Sequence, residues 1–151
     1  MALETASGAF AAVGVADVLI RVGRDIYSFL CDVADAPDDL KRLNEHINDN
    51  LLFAEISKEC LQELSKSSQT TATANIINSL GTTLRALNRE LQSLSRLIAK
   101  YIKTKTWNRI KYVLDERKVG KALESLERTK SNLASILTLA CRSVELPYLL
   151  R

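Results

Sequence analysis

Histidine is almost missing from this chain of 151 residues, which holds one, His46. That scarcity removes much catalytic chemistry at once. His46 lies on a Lys-, Asp- and Glu-rich segment, so a Ser–His–Asp arrangement has no natural home, and a His-based zinc site would need further imidazoles. Glycine and proline are scarce too, at five and two. No GxxxxGK[ST] loop occurs and no GxGxxG follows a strand, which leaves out the common phosphate cradles. The three cysteines, Cys31, Cys60 and Cys141, have no metal-ligand spacing and cannot all pair. They fit a reducing intracellular compartment, as small core hydrophobes. No enzyme, cofactor or metal site is expected.

Long apolar runs are lacking as well. The stretch "SGAFAAVGVADVLIRVG", residues 7 to 23, is the nearest approach. Its uncharged part, residues 5 to 16, would cover ~18 Å as a helix against a hydrocarbon core of ~30 Å, so it cannot span a membrane alone. The residues before it carry Glu4 and no Lys or Arg, so the positive n-region of a secretory signal is missing. Within an oligomer, with its charges facing a polar lumen or one another, the same stretch can enter a membrane.

What remains is a Leu-, Ala-, Lys-, Glu- and Arg-rich chain, 46% apolar and 26% charged. It reads as one all-α domain, long enough to bury roughly 70% of the surface its unfolded form exposes. Helix one is expected over about 7–33, with Val15, Leu19, Val22, Ile26, Phe29, Leu30 and Val33 on its core side and Asp17, Arg21, Arg24 and Asp25 opposite. Asp17–Arg21 and Arg21–Asp25 are i,i+4 pairs. Before Asp17 the helix is apolar all round: Phe10 falls on the charged side, Val13 sits beside it, and alanines fill the rest.

Pro37, in the first helical turn, followed by Asp38 and Asp39, marks the start of helix two, about 37–65. Leu40, Leu43, Ile47, Leu51, Ala54 and Leu61 form its stripe. A polar Ser/Thr link over 65–74 leads to helix three, about 74–103, where Ile77, Leu80, Leu84, Leu87, Leu91, Leu94, Ile98 and Tyr101 recur at threes and fours. A short helix over 107–114 precedes Asp115, a candidate N-cap, and a last helix over 116–145 closed by Pro147. Val119, Leu123, Leu126, Leu133, Leu137, Ala140 and Val144 mark its seam. Short links and long helices predict a four-helix-type antiparallel bundle with an additional short helix before the last long one. The heptad seams also suit contacts between molecules.

Charge is unevenly spread. Residues 1–84 hold six basic and twelve acidic side chains, net −6, whereas residues 85–151 hold fifteen and six, net +9. The basic excess concentrates in "RLIAKYIKTKTWNRIKYVLDERKVGK", residues 96–121, with Tyr101, Trp107 and Tyr112 interleaved. Lys100, Lys103, Lys105, Trp107, Arg109, Lys111 and Lys118 are the candidate anionic-lipid patch, since each basic group near an anionic surface contributes about 1 kcal/mol and Trp and Tyr favour the interface. The plainer alternative is a solvated turn, with Trp107 plugging the bundle end. Nucleic acid is not expected as a partner, because half of the chain is acidic and no recognition motif is present.

Two segments carry a family resemblance. "GVADVLIRVGRDIYSFLCDVADAPDDLKRL", residues 14–43, resembles the start of the HeLo-like domain of filamentous fungi. "WNRIKYVLDERKVGKALESLERTKSNLASIL", residues 107–137, resembles the short Trp-basic helix and final helix of that family. The resemblance implies a helical bundle of the kind found at the N-termini of fungal NLR-type (STAND) receptors and amyloid-controlled cell-death proteins, with a role in heterokaryon incompatibility or innate immunity. It further implies homo-oligomerisation on activation, driven by a C-terminal sensor or amyloid-motif region outside residues 1–151. The N-terminal helix is then released into the plasma membrane, the protein being cytoplasmic at rest. Gly8, Phe10, Val13, Gly14, Val15, Val18 and Leu19 map onto that membrane-targeting helix. The alternative class is a non-lytic interaction module that docks a partner helix or a second copy.

Overall fold

The computed structural model describes residues 2–66, 70–99, 106–111 and 114–144, with side chains between residues 7 and 142. All of its regular structure is helical: α1 (Ala2–Cys31), α2 (Asp38–Lys66), α3 (Thr71–Ile98), α4 (Trp107–Ile110) and α5 (Glu116–Val144). The expected bundle is therefore present. Its helix limits move by a few residues: α1 starts earlier, and α3 begins at Thr71 rather than 74. Residues 100–103, expected in helix three, and residues 112–113, expected in the short helix, lie outside the described residues.

Local chemistry accounts for these limits. The Thr70 hydroxyl accepts the Thr73 N–H at 3.1 Å and starts α3 within the Ser/Thr link. A polar composition thus hides a capped first turn. Pro37 stands one position before α2 and accepts from Lys41 N–H through its carbonyl at 3.2 Å, rather than lying inside the helix. Asp115 caps α5 as expected, its carboxylate accepting the Lys118 N–H at 2.9 Å. In the α1–α2 turn Asp35 has φ 60°, a left-handed conformation that Asp tolerates better than most residues.

Each long helix buries a seam of alternating threes and fours. In α2 it runs through Leu40, Leu43, Ile47, Asn50, Ala54, Ser57, Leu61 and Leu64, all buried. In α3 it runs from Thr73 through Ile77, Leu80, Leu84, Leu87, Leu91 and Leu94 to Ile98. That seam is buried inside the bundle. The α1 seam is tapered: Ala9, Ala12, Ala16, Leu19, Gly23, Ile26, Leu30 and Val33. Val15 and Val22, expected on this line, flank it half-buried.

The helices pack as a ring in the order α1, α2, α5, α3, with α1 resting on α2 and α3, and α5 on the same two. The pair α1/α2 is antiparallel, since Asp17 meets Lys58 and Arg24 meets Glu55. The pair α1/α3 is parallel: Gly8 approaches Ile77, and Ala12 approaches Gly81. α2 and α3, consecutive in sequence, therefore stand diagonally across the ring. Close approach to α2 requires glycine at one point. A Cβ on Gly23 would lie 2.4 Å from Leu51 Cδ2.

Candidate functional site

The N-terminal half of α1 separates into two faces. Toward α2 and α3 it presents Ala9, Ala12 and Ala16, each 0–1% exposed. Outward it presents Ser7, Phe10, Ala11 and Gly14, and Phe10 is 66% exposed. Val13 and Val15 are half-buried against the core, Gly8 and Val18 are half-buried, and Leu19 is fully buried. Of the seven residues mapped onto a membrane-targeting helix, Phe10 and Gly14 thus face solvent and Leu19 belongs to the core.

The taper decides what holds this half in place. An alanine methyl contributes about 0.8 kcal/mol on burial, against roughly 1.5–3 kcal/mol for a large aliphatic or aromatic side chain. Anchoring side chains begin at Leu19 and continue through Ile20, Ile26, Phe29, Leu30 and Val33. Polar ties add little. Asp17, expected to pair with Arg21 along the helix, meets Lys58 on α2 at 2.6 Å, and Arg24 pairs with Glu55. Such partly exposed pairs are worth about 0–1 kcal/mol.

At the opposite end of the bundle, α4 joins the α1–α2 turn. Trp107 N–H donates to the Ala34 carbonyl at 3.1 Å, and Ala34 and Thr106 form an isolated parallel bridge. The indole lies half-buried beside Pro37, Leu40 and Val119. Trp107 thus packs half-buried at the bundle end. Arg109, Lys111 and Lys118 are exposed, whereas Lys100, Lys103 and Lys105 lie outside the described residues, as do Tyr101 and Tyr112.

This junction brings together segments of opposite charge. The turn carries Asp32, Asp35, Asp38 and Asp39, and it meets α4, which carries Arg109 and is followed by Lys111. A linear count of charge keeps the two segments some sixty residues apart; the fold is what makes them neighbours.

Polar residues escaped the sequence reading of the core. Asn50 Nδ2 donates to the carbonyls of His46 at 2.9 Å and of Leu126 at 3.0 Å, tying α2 to α5. Asn44 Nδ2 donates to the Tyr27 carbonyl and to Cys31 Sγ, both at 3.2 Å. The signal for Asn50 is its place in the three–four alternation of α2. Cysteine placement is mixed: Cys60 is a core residue as expected, Cys141 is half-buried, and Cys31 is exposed. Among the described residues no cluster of three His, Cys, Asp or Glu side chains is placed to hold a metal ion, and no helix is long and apolar enough to cross a membrane.

No family model, curated protein or solved structure matches this chain.

Proposed function

We propose that the chain is a membrane-targeting, oligomerising cell-death effector domain of the HeLo-like kind. In this reading α1 is packed at rest and leaves the bundle on activation, and the permeabilised membrane is anionic. The observation that carries it is the tapered α1 seam under an exposed Phe10: an apolar segment that rests on α2 and α3 chiefly through alanines. Oligomerisation offsets the cost of exposing the partner faces at Ile77 and Leu80, and lipid replaces the lost apolar contacts. Lys100, Lys103 and Lys105 supply attraction to anionic headgroups.

Leakage from anionic vesicles, with the domain forced to oligomerise through a fused dimeriser, tests this directly. Phe10→Asp is expected to leave thermal unfolding within about 0.5 kcal/mol of the original, because the residue is exposed. It is expected to abolish leakage, as is deletion of residues 1–12 in a chain that still unfolds cooperatively. Undiminished leakage from these folded variants would overturn the proposal.

A second reading has its own support. The opposed charges of the α4 junction and the exposed Leu52 (53%) and Leu139 (55%) suit a non-lytic module that docks a protein partner. Co-sedimentation separates the two. An effector pellets with anionic but not neutral vesicles, and a docking module pellets with neither.

A further inference from the structure

Two of the three cysteines lie on the parallel pair α2/α5, Cys60 on α2 and Cys141 on α5. The register of that pair is set by several contacts. Lys130 Nζ meets Asp49 Oδ2 at 3.2 Å, a separation of 81 positions in sequence. Asn50 donates to the Leu126 carbonyl, a separation of 76, and Leu40 and Val119 line one crevice. Cys60 and Cys141 are also 81 positions apart, each eleven residues beyond the Asp49–Lys130 pair. Eleven residues make three helical turns to within ~20°, so both cysteines return to the same line of the interface, about 16 Å further along.

Their surroundings agree with this placement. Cys60 is fully buried and Cys141 is half-buried against the same core. The Cys60 thiol is pushed up to about 12, first by burial and then by the field of Cys141. Cys31 is exposed at the far end of the bundle, bonded by Asn44 beside the α1–α2 turn.

We propose that Cys60 and Cys141 are a disulfide-forming pair, a site of reversible oxidation by peroxide-class oxidants. Cys141, the more accessible sulfur, reacts first. Its thiolate attacks hydrogen peroxide, an S–O bond forms as the O–O bond breaks, and water leaves once the hydroxide is protonated. The Cys60 sulfur then attacks Cys141 sulfur, the S–O bond breaks, and the Cys60 proton goes to the departing hydroxide as a second water. Two thiols and one peroxide become one disulfide and two waters. The bridge joins α2 to α5, one neighbouring pair of the ring. This inference stands independently of the membrane reading.

The reduced full chain is treated with a small molar excess of hydrogen peroxide, alkylated with N-ethylmaleimide under denaturing conditions, and digested for mass spectrometry. A Cys60–Cys141 linked peptide from monomeric protein is expected. The unfolding midpoint should rise by roughly 5 °C or more, as expected for closing a long loop, and dithiothreitol should reverse the rise. Cys141→Ser should remove both the linked peptide and the shift, while Cys31→Ser should keep both. Oxidised monomer in which Cys60 is still alkylated would overturn the proposal, as would linkage through Cys31 alone.

Discussion

Glycine has opposite meanings at two positions of α1. At Gly23 a methyl group would collide with Leu51, itself buried, and the overpacking cost of about 1–3 kcal/mol exceeds the helix-propensity gain of ~1 kcal/mol. Gly14 has nothing within 4 Å of the same added methyl. Chemical denaturation is therefore expected to show Gly23→Ala less stable than the original, and Gly14→Ala more stable by about 0.5–1 kcal/mol. Cys60 adds a dependence on alkaline pH. Its thiol ionises near 9 when unfolded and near 12 when folded, so the folded state holds the proton more tightly between those values. That contribution is complete below pH 9 and declines as pH rises toward 12, by up to ~1.4 kcal/mol per pH unit. Tyr27 is raised too, chiefly by its hydrogen bond to Cys31 and then by the charge of that thiol. Comparing Cys60→Ala with the original at pH 8 and 10.5 cancels the Tyr27 effect. The original is expected to lose more stability over that interval, and equal losses would contradict a protonated, buried Cys60.

At the scale of elements, α5 depends on its first turn. Removing the carboxylate in Asp115→Ala leaves the Lys118 N–H without its acceptor and should cost about 1 kcal/mol, read from the thermal midpoint. Much of this level is legible in sequence because helix and seam have the same cause. Leu80, Leu84, Leu87 and Leu91 recur at 3.6-residue spacing and bury together. Legibility fails where a seam position is filled by a residue that does not look apolar. Asn50 and Ser57 occupy such positions in α2, and Ala9, Ala12 and Ala16 continue the α1 line under a sequence that looks apolar on every side. Alanine carries too little hydrophobic signal to tell a packed face from a bare one. Only the proximity of Ile77 and Gly81 on α3 distinguishes them.

Across the whole molecule, the ring order and the meeting of charged segments depend on contacts between distant positions, which one-dimensional spacing does not encode. Helix count and extent were readable; which helices are neighbours was not. The same applies to the candidate site: Phe10 was readable as lying on the outward face of α1, but the meeting of the acidic turn with α4 was not. The ring supplies a test of release that leaves Phe10 untouched. A Cβ on Gly81 would lie 3.6 Å from the Ala12 Cβ, within the usual span of a disulfide. In a Cys141→Ser background, Ala12→Cys with Gly81→Cys is expected to join α1 to α3 on oxidation and to suppress vesicle leakage at least tenfold. Reduction should restore it. Leakage that ignores the bond would mean that α1 does not have to leave α3.

The hydrogen bond from Trp107 to Ala34 also has a mechanical consequence. It clamps the C-terminal root of α1, while the fully buried residues between 7 and 16 are alanines. A helix of 30 residues rooted in this way is a lever ~45 Å long with its fulcrum at the α1–α2 turn. A quarter turn about that fulcrum would sweep Phe10 through roughly 45 Å, farther than the ~30 Å thickness of a bilayer's hydrocarbon. The reach of the N-terminus is therefore set at the far end of the molecule, by how firmly one short helix grips one turn.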